Sequence, residues 1–312
     1  MQDLVSAARA ATAAYDSEEI LRVVGEPVVV VSAPRSGSTL LFEQLAAVSG
    51  LWTIGGESHG VFRAFPNLRA ENAQRDSGCL LRSHADEQTA DAFRRCMAFL
   101  LRNHSGEPWI GMRPEDRPST VTLLEKTPRN ALNVPFLLQV FPQARFIYLY
   151  RDARATIASL VEAWQVGLKT GRFVTFPDLP GWDRAAWCFL LPRGWRNLVG
   201  KTLFDIAAFQ WAASTDKLLD DLEMLEDGRC TAVAYEELAG APSRALQRLA
   251  DFAHVDDRGL FAGDRPLPLS RTTLSPPSPN KWQRWQSEID ALETVFTESE
   301  RRARRAVKRW ET

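Results

Sequence analysis

The clearest hydrophobic pattern in the chain is a run of four β-branched residues, Val28–Val31, which lies between Pro27 and a turn of small residues. A short apolar run bounded by turn residues is typical of a buried strand. Apolar positions at helical spacing follow in residues 40–46. The pattern therefore predicts a strand, a tight turn and a helix in succession.

Similar patterns continue along the chain. Helices are predicted at residues 1–24, 86–103 and 153–164, whereas residues 63–83 are polar and irregular. Further strands are predicted at residues 51–54, 121–124, 146–150 and 231–234. Strands that alternate with helices indicate an α/β fold whose mainly parallel central sheet is covered on both faces. Because no repeat or Gly/Ser-rich linker divides the sequence, we expect one domain over residues 1–312, with a helical flank at residues 1–26.

The turn after the first strand has the composition of an anion-binding loop. Residues 32–39 read SAPRSGST, so that Arg35 supplies a cation while Ser38 and Thr39 supply hydroxyls at the start of the helix. The backbone N–H groups and the dipole of a helix N-terminus attract phosphate. The loop is not a Walker A motif, because Gly37 is followed by serine instead of the lysine that reaches the β/γ-phosphates. We therefore expect a nucleotide without a γ-phosphate, held without a metal ion.

A second anion-binding pair is predicted more than a hundred residues further on. Arg151 follows the strand at residues 146–150, and Ser159 lies two turns into the next helix. A planar guanidinium and a hydroxyl at this spacing suit a phosphate monoester. The alternative is that Arg151 only pairs with its neighbour Asp152 at the surface.

Together the two segments resemble the sulfotransferases that use 3′-phosphoadenosine 5′-phosphosulfate (PAPS). The family's P-[KR]-S-G-[ST]-[ST] loop matches residues 34–39, and its Arg with a Ser eight residues later matches Arg151 and Ser159. Three weaker matches follow the family's order: LLEKTP at residues 123–128, VAYEEL at residues 233–238, and Lys281-Trp282. The motif set is similar to that of bacterial, tyrosylprotein-type members and extends over about residues 27–286.

The resemblance implies a P-loop NTPase-like three-layer fold, PAPS as donor and 3′-phosphoadenosine 5′-phosphate (PAP) as product. It implies that Arg35 and Lys126 stabilise the transferring group and that Glu57, in a G-E-S segment, is the general base. His59 is the rival base, because small-molecule relatives use a histidine. The residues implied to bind the donor are Arg35, Ser36, Gly37, Ser38, Thr39, Arg151, Ser159, Tyr235, Lys281 and Trp282.

Three other functions remain open at this point. Residues 56–60 read GESHG, the G-x-S-x-G pattern of a serine-esterase nucleophile elbow with Ser58 as nucleophile. Pro66 would end the helix that such an elbow requires, and Asp251 and His254 are too close in sequence to be convincing partners. A kinase-like enzyme lacks its Walker lysine. A nucleotide-binding module without catalysis fits the same anion-binding motifs.

Residues 163–211 contain half of the ten tryptophans, together with Gly/Pro turns. This composition predicts a lid or wall for the acceptor, although the same rings would equally suit a core cap or a dimer face. The sequence does not identify the acceptor, which is the hydroxyl of a small molecule, a glycan or a peptide. Homo-oligomerisation is also open.

Composition narrows the class of protein. A net charge of −1 gives no basis for nucleic-acid binding, and no apolar window is long enough to span a membrane. The four cysteines, Cys79, Cys96, Cys188 and Cys230, show no C-x-x-C spacing, so that we expect reduced thiols and a cytoplasmic protein. The sequence shows no metal-binding cluster.

Overall fold

The computed structural model describes residues 3–69, 76–263, 265–276 and 278–311. The start of the predicted leading helix and part of the irregular region lie outside these ranges. The described strands are β1 (Val28–Val31), β2 (Leu51–Trp52), β3 (Thr122–Lys126), β4 (Arg145–Tyr150), β5 (Val174–Phe176), β6 (Trp187–Cys188) and β7 (Cys230–Ala234). The described helices are α1 (Leu4–Ala11), α2 (Ser17–Val24), α3 (Ser38–Leu45), α4 (His59–Ala64), α5 (Glu87–Leu100), α6 (Val134–Val140), α7 (Ala153–Thr170), α8 (Leu203–Leu222), α9 (Tyr235–Gly240), α10 (Pro242–Phe252), α11 (Gln286–Asp290) and α12 (Glu293–Trp310).

Within the described residues, five strands form a parallel sheet in the order β2-β3-β1-β4-β7. The central strand β1 pairs with β3 on one side and with β4 on the other. This arrangement confirms the predicted α/β fold. Because the strands are parallel, the loops that follow β1, β3 and β4 meet at one edge of the sheet, where ligands of such sheets bind.

Helices cover the sheet on both faces. Val28 and Val30 of β1 pack on the face covered by α3 and α10, while Val29 and Val31 pack on the face covered by α5, α8 and α12. Residues alternate between the two faces of a strand, and both faces are buried here. This double burial explains the uninterrupted apolar run that the sequence shows. The predicted three-layer arrangement is therefore confirmed.

The predicted helix over residues 1–24 is wrong in one respect, since the described part contains two helices. The Asp16 side chain accepts from the Glu19 N–H at 2.8 Å, and the Glu19 side chain accepts from the Asp16 N–H at 2.8 Å. This reciprocal capping box starts α2 at Ser17 and separates it from α1.

Several element ends also differ from the prediction. β2 ends at Trp52 instead of residue 54, because Thr53 exchanges backbone hydrogen bonds with Arg102 at 2.9 and 2.7 Å. β3 continues to Lys126, and α7 continues to Thr170, where Gly171 ends it with a left-handed φ of 79°. The longer β3 places Lys126 at the carboxyl edge of the sheet.

The tryptophan-rich segment forms a small core of its own. Trp164, Trp187 and Trp195 are fully buried, and Trp187 packs edge to face against Trp164, Trp182 and Trp195 at centroid distances of 4.7–5.9 Å. The antiparallel pair β5–β6 lies in this segment. Among the described residues, no helix is both long and apolar enough to cross a membrane.

Candidate active site

The loop between β1 and α3 adopts a conformation that glycine makes accessible. Gly37 has a φ of 101°, and a Cβ at this position would lie 2.6 Å from the ring of Tyr235. Only glycine allows this close approach without displacing the ring. Arg35 also has a left-handed φ, 68°. The loop is therefore held in a tight turn beneath the aromatic ring of Tyr235.

The two predicted anion-binding motifs meet in this turn. The Arg35 Nε donates to the Ser159 Oγ at 3.3 Å, although 124 residues separate them. A second Arg35 nitrogen donates to the carbonyl of Thr272 at 3.0 Å. In the part of the chain that is described, no side chain caps the N-terminus of α3, so that its first amides are available to an anion.

Arg151 lies beside the same turn. Its guanidinium carbon is 4.5 Å from the centroid of the Tyr235 ring, and its Nη1 donates to the Arg35 carbonyl at 3.2 Å. The buried Nε of Arg151 has no hydrogen-bond partner among the described residues. Asp152, the alternative partner of Arg151, instead caps α7 and pairs with Arg304 at 3.0 Å. Arg151 thus keeps a donor for a ligand.

The charges of this region favour an anionic ligand. Burial, followed by the positive charges of Arg151 and Arg172, lowers the pKa of Arg35 to about 10. Arg35 is still protonated at neutral pH, but it is crowded by other cations. A bound anion would relieve this repulsion. The side chains present therefore fit the phosphate groups of a nucleotide.

A second group of polar side chains surrounds Glu57. Lys126 is 1% exposed and donates to the Thr39 Oγ1 at 3.1 Å and to the Glu57 carboxylate. His59 Nε2 lies 3.1 Å from the other carboxylate oxygen of Glu57. The structure thus brings together the two predicted catalytic residues Glu57 and Lys126, the rival base His59 and the loop residue Thr39.

The pKa of Glu57 results from opposing effects. Burial raises it, but the hydrogen bond from His59 and the charge and hydrogen bond of Lys126 outweigh burial and lower the pKa to about 2. Glu57 is consequently ionised at neutral pH. A carboxylate with so low a pKa is a weak base as long as Lys126 and His59 hold it.

Ser58, the nucleophile of the esterase hypothesis, is buried and forms hydrogen bonds with residues of β3 and the turn after it. It is 2% exposed, and its hydroxyl donates to the Glu125 carboxylate at 2.7 Å. Its backbone N–H donates to the Thr127 Oγ1 at 2.7 Å. The helix after it has six residues and ends before Pro66. A nucleophile elbow needs an accessible serine next to a histidine base, so that the geometry argues against an esterase.

A cavity of about 550 Å³ joins these groups. Its volume lies within the range of small-molecule sites, about 300–1,000 Å³. The predicted residues that line it are Arg35, Gly37, Ser38, Thr39, Glu57, His59, Arg151, Ser159, Tyr235, Lys281 and Trp282. Ser36 and Lys126 are buried behind this lining in the described part of the chain.

The segment that contains Lys281 is attached to α7 by Glu162. Lys281 Nζ donates to Glu162 Oε2 at 2.5 Å, and Arg284 pairs with the other oxygen. Glu162 lines the cavity one turn after Ser159, and the sequence analysis missed it. Its spacing of three residues from Ser159 on a predicted helix was the available signal. Phe173 and Phe189, which also line the cavity, were missed as well.

The chain is similar in sequence to known sulfotransferases. Residues 27–190 match the model of the sulfotransferase family. A protein-tyrosine sulfotransferase of Caenorhabditis elegans is 25% identical over 140 residues, which are 44% of this chain and 29% of that protein. The chain thus spans less than a third of the length of this curated relative.

Two solved structures also resemble the chain. A sulfotransferase from Mycobacterium avium is 16% identical, with a TM-score of 0.49 over 94% of this chain and 83% of that one. A mouse sulfotransferase complexed with PAP is 14% identical, with a TM-score of 0.46 over 99% and 94%. Because the family match covers more than half of the chain, this protein belongs to the sulfotransferase family, the family of PAPS-dependent enzymes that its motifs resemble.

Proposed function

We propose that the protein transfers a sulfuryl group from PAPS to a hydroxyl acceptor bound in the cavity. The observation that supports this most is the contact of Arg35 with Ser159 beside Arg151, whose buried Nε lacks a partner among the described residues. This arrangement offers one site for the 5′-phosphosulfate and another for the 3′-phosphate of a single nucleotide.

The donor supplies an activated sulfuryl group when bound. The amides at the start of α3 and the guanidinium of Arg35 bind its phosphosulfate end, and Arg151 with Ser159 binds its 3′-phosphate. By analogy with phosphoryl transfer, charge develops on the oxygens around the transferring group. Lys126, held by Thr39 at 3.1 Å, and Arg35 stabilise that charge.

Glu57 is the proposed general base. In the described structure its carboxylate is shared between Lys126 and His59. When Lys126 turns towards the transferring group, Glu57 loses a cation, its pKa rises and it becomes a stronger base. His59 is the alternative base, because it contacts Glu57 and also lines the cavity. In that case Glu57 would orient the imidazole.

A transfer assay with PAPS labelled in its sulfuryl group tests the proposed function. We expect the label to move to a hydroxyl acceptor and PAP to form in equal amount. We also expect the rate to persist in EDTA, since Arg35 and Lys126 provide the cations that the transferring group needs. The control is the same assay without acceptor.

Binding of PAP without any transfer would favour the nucleotide-binding module. A strict requirement for Mg²⁺ would favour a kinase-like enzyme. Either result would contradict the proposed mechanism.

A further inference from the structure

Two phenylalanines form an aromatic wall in the cavity. Phe173 precedes β5 and Phe189 follows β6, and their rings stack at a centroid distance of 5.3 Å and an angle of 26°. Both residues have a left-handed φ, 69° and 66°, which is rare for a bulky side chain. The Phe189 N–H donates to the Phe173 carbonyl at 3.1 Å, which holds the pair together. Strained residues of this kind concentrate at ligand sites.

The aromatic wall adjoins the chemistry of the site. The guanidinium of Arg35 lies 5.2 Å from the centroid of the Phe173 ring. Arg35 is the cation assigned to the transferring group, so that an acceptor beside it would contact the aromatic wall. The wall is therefore placed to bind the acceptor, whereas Tyr235 lies on the nucleotide side with Arg151.

Apolar and charged groups both adjoin the wall. Val174 and Leu190, its neighbours in sequence, line the cavity, and the guanidinium carbon of Arg172 lies 4.8 Å from the centroid of the Phe173 ring. A sugar presents many hydroxyl groups, each of which loses free energy when it is buried without a partner. A flat aromatic ring instead gains from stacking on phenyl faces. The chemistry of the wall therefore favours an aromatic acceptor over a glycan.

We propose that the acceptor is a small planar phenol whose ring packs against Phe173 and Phe189; this proposal rests on the proposed sulfuryl transfer. The phenol oxygen forms a bond to sulfur while the bond between sulfur and the 5′-phosphate oxygen of PAPS breaks. The electron pair of the broken bond remains on PAP, and the phenolic proton passes to Glu57.

The weak basicity of Glu57 agrees with this acceptor class. A phenol has an ordinary pKa of about 10 and gives up its proton more readily than an aliphatic alcohol. Lys126 and His59 hold the pKa of Glu57 at about 2, and a phenol therefore requires a smaller rise of that pKa for proton transfer than an aliphatic alcohol does.

The test compares acceptors and variants. With PAPS, 2-naphthol should be a better acceptor than cyclohexanol, N-acetylglucosamine or a tyrosine-containing peptide. Phe173→Ala and Phe189→Ala should each lower kcat/KM for 2-naphthol by about 10- to 100-fold, the loss expected for an aromatic contact. Calorimetry of 2-naphthol with the enzyme–PAP complex should show a similar loss of affinity, whereas PAP itself should bind as before. Phe173→Tyr should retain both properties.

Phe204→Ala is the matched control, because Phe204 packs against Trp285 outside the cavity. Faster transfer to the sugar or the peptide would overturn the phenol acceptor and leave sulfuryl transfer standing. Loss of PAP binding in the Phe173 and Phe189 variants would show a structural role and would also overturn it. Failure of the unmutated protein to bind PAP would overturn the proposed function itself.

A separate observation concerns the turn that carries Arg151. The buried Tyr150 hydroxyl donates to Glu300 Oε1 of α12 at 3.0 Å, and the Ala153 N–H approaches the same oxygen at 3.4 Å. Arg304 forms ion pairs with both Glu300, at 2.8 Å, and Asp152, at 3.0 Å. The residues on both sides of Arg151 are thus attached to one carboxylate of the C-terminal helix.

We infer that Glu300 is a positioning residue for Arg151. Glu300 is 9% exposed, and burial of a carboxylate is unfavourable unless donors surround it. Here the donors come from the two ends of the Arg151 turn, so that Glu300 fixes the direction in which Arg151 leaves β4. The donor site therefore depends on a helix that lies outside the matched residues 27–190.

Glu300→Gln should weaken PAP binding by about 10-fold, because the turn that carries Arg151 loses hydrogen bonds to a charged acceptor. AMP, which has no 3′-phosphate, should bind the variant and the unmutated protein alike. Arg301→Ala is the control, because Arg301 is exposed and pairs with Glu298. Glu300→Asp should recover part of the PAP affinity. Equal losses for PAP and AMP would show that Glu300 only stabilises the fold and would overturn its positioning role.

Discussion

Arg151→Ala should abolish most of the preference of this protein for PAP over AMP. The two nucleotides differ in the 3′-phosphate, and we propose that Arg151, which contacts the Arg35 carbonyl and the Tyr235 ring, is the cation that binds it. Loss of one partner of a buried, charged hydrogen bond costs about 2–5 kcal/mol. Calorimetry with both nucleotides measures the effect directly. PAP affinity should fall by this amount, while AMP affinity should change little.

Two further variants make this result specific. Arg151→Lys keeps the charge but loses the planar pair of donors, so that its PAP affinity should be intermediate. Arg305→Ala removes an exposed arginine of α12 and should leave both affinities unchanged. The assignment of the 3′-phosphate site would be wrong if the unmutated protein bound PAP and AMP equally well.

The sequence predicted correctly that Arg35, Ser159 and Arg151 lie close together, for a physical reason. Arg35 and Arg151 each follow a predicted buried strand, and the carboxyl ends of parallel strands meet at one edge of a sheet. Residue type and position relative to the strand were therefore enough to bring the two motifs together. Lys126 was indicated only by the family resemblance, because the strand before it was predicted to end at residue 124.

The state of Glu57 could not be predicted in the same way. The sequence indicated a carboxylate near a lysine, but its pKa depends on which oxygen each partner contacts and on how deeply the group is buried. His59 Nε2 at 3.1 Å and Lys126 on the other oxygen are facts of side-chain packing. They lower the pKa of Glu57 to about 2 and make it a weaker base than an ordinary carboxylate.

The aromatic residues show why composition alone was insufficient. The high tryptophan count directed attention to rings that pack against one another, whereas the cavity is lined by Phe173 and Phe189 from the same segment. Their left-handed backbone has no sequence signature in a phenylalanine. The break before α2, in contrast, was readable, because Asp16 and Glu19 have the spacing of a capping box.

Glu57→Gln should lower kcat by roughly 10²–10⁴-fold, since glutamine keeps the shape but cannot accept the acceptor's proton. PAP affinity should not fall in this variant. Glu57 and the donor compete for the ammonium group of Lys126, and the substitution removes the charge of Glu57. Single-turnover transfer and PAP calorimetry on the same preparation separate the two effects. Arg35→Ala is the informative comparison, since it should impair both donor binding and transfer.

The pH dependence decides between Glu57 and His59. With its pKa lowered to about 2, Glu57 stays ionised as the pH falls from 8 to 5. While Lys126 and His59 contact it, titration of Glu57 therefore causes no fall of kcat/KM in that range. Contact of Lys126 with the donor would raise the pKa of Glu57. The rate would then begin to fall at a higher pH. One outcome is that kcat/KM falls at low pH in the unmutated protein but not in His59→Asn, while Glu57→Gln retains a substantial rate. His59 is then the base, and Glu57 only orients it. If His59→Asn keeps the rate and Glu57→Gln loses it at every pH, the proton passes to Glu57.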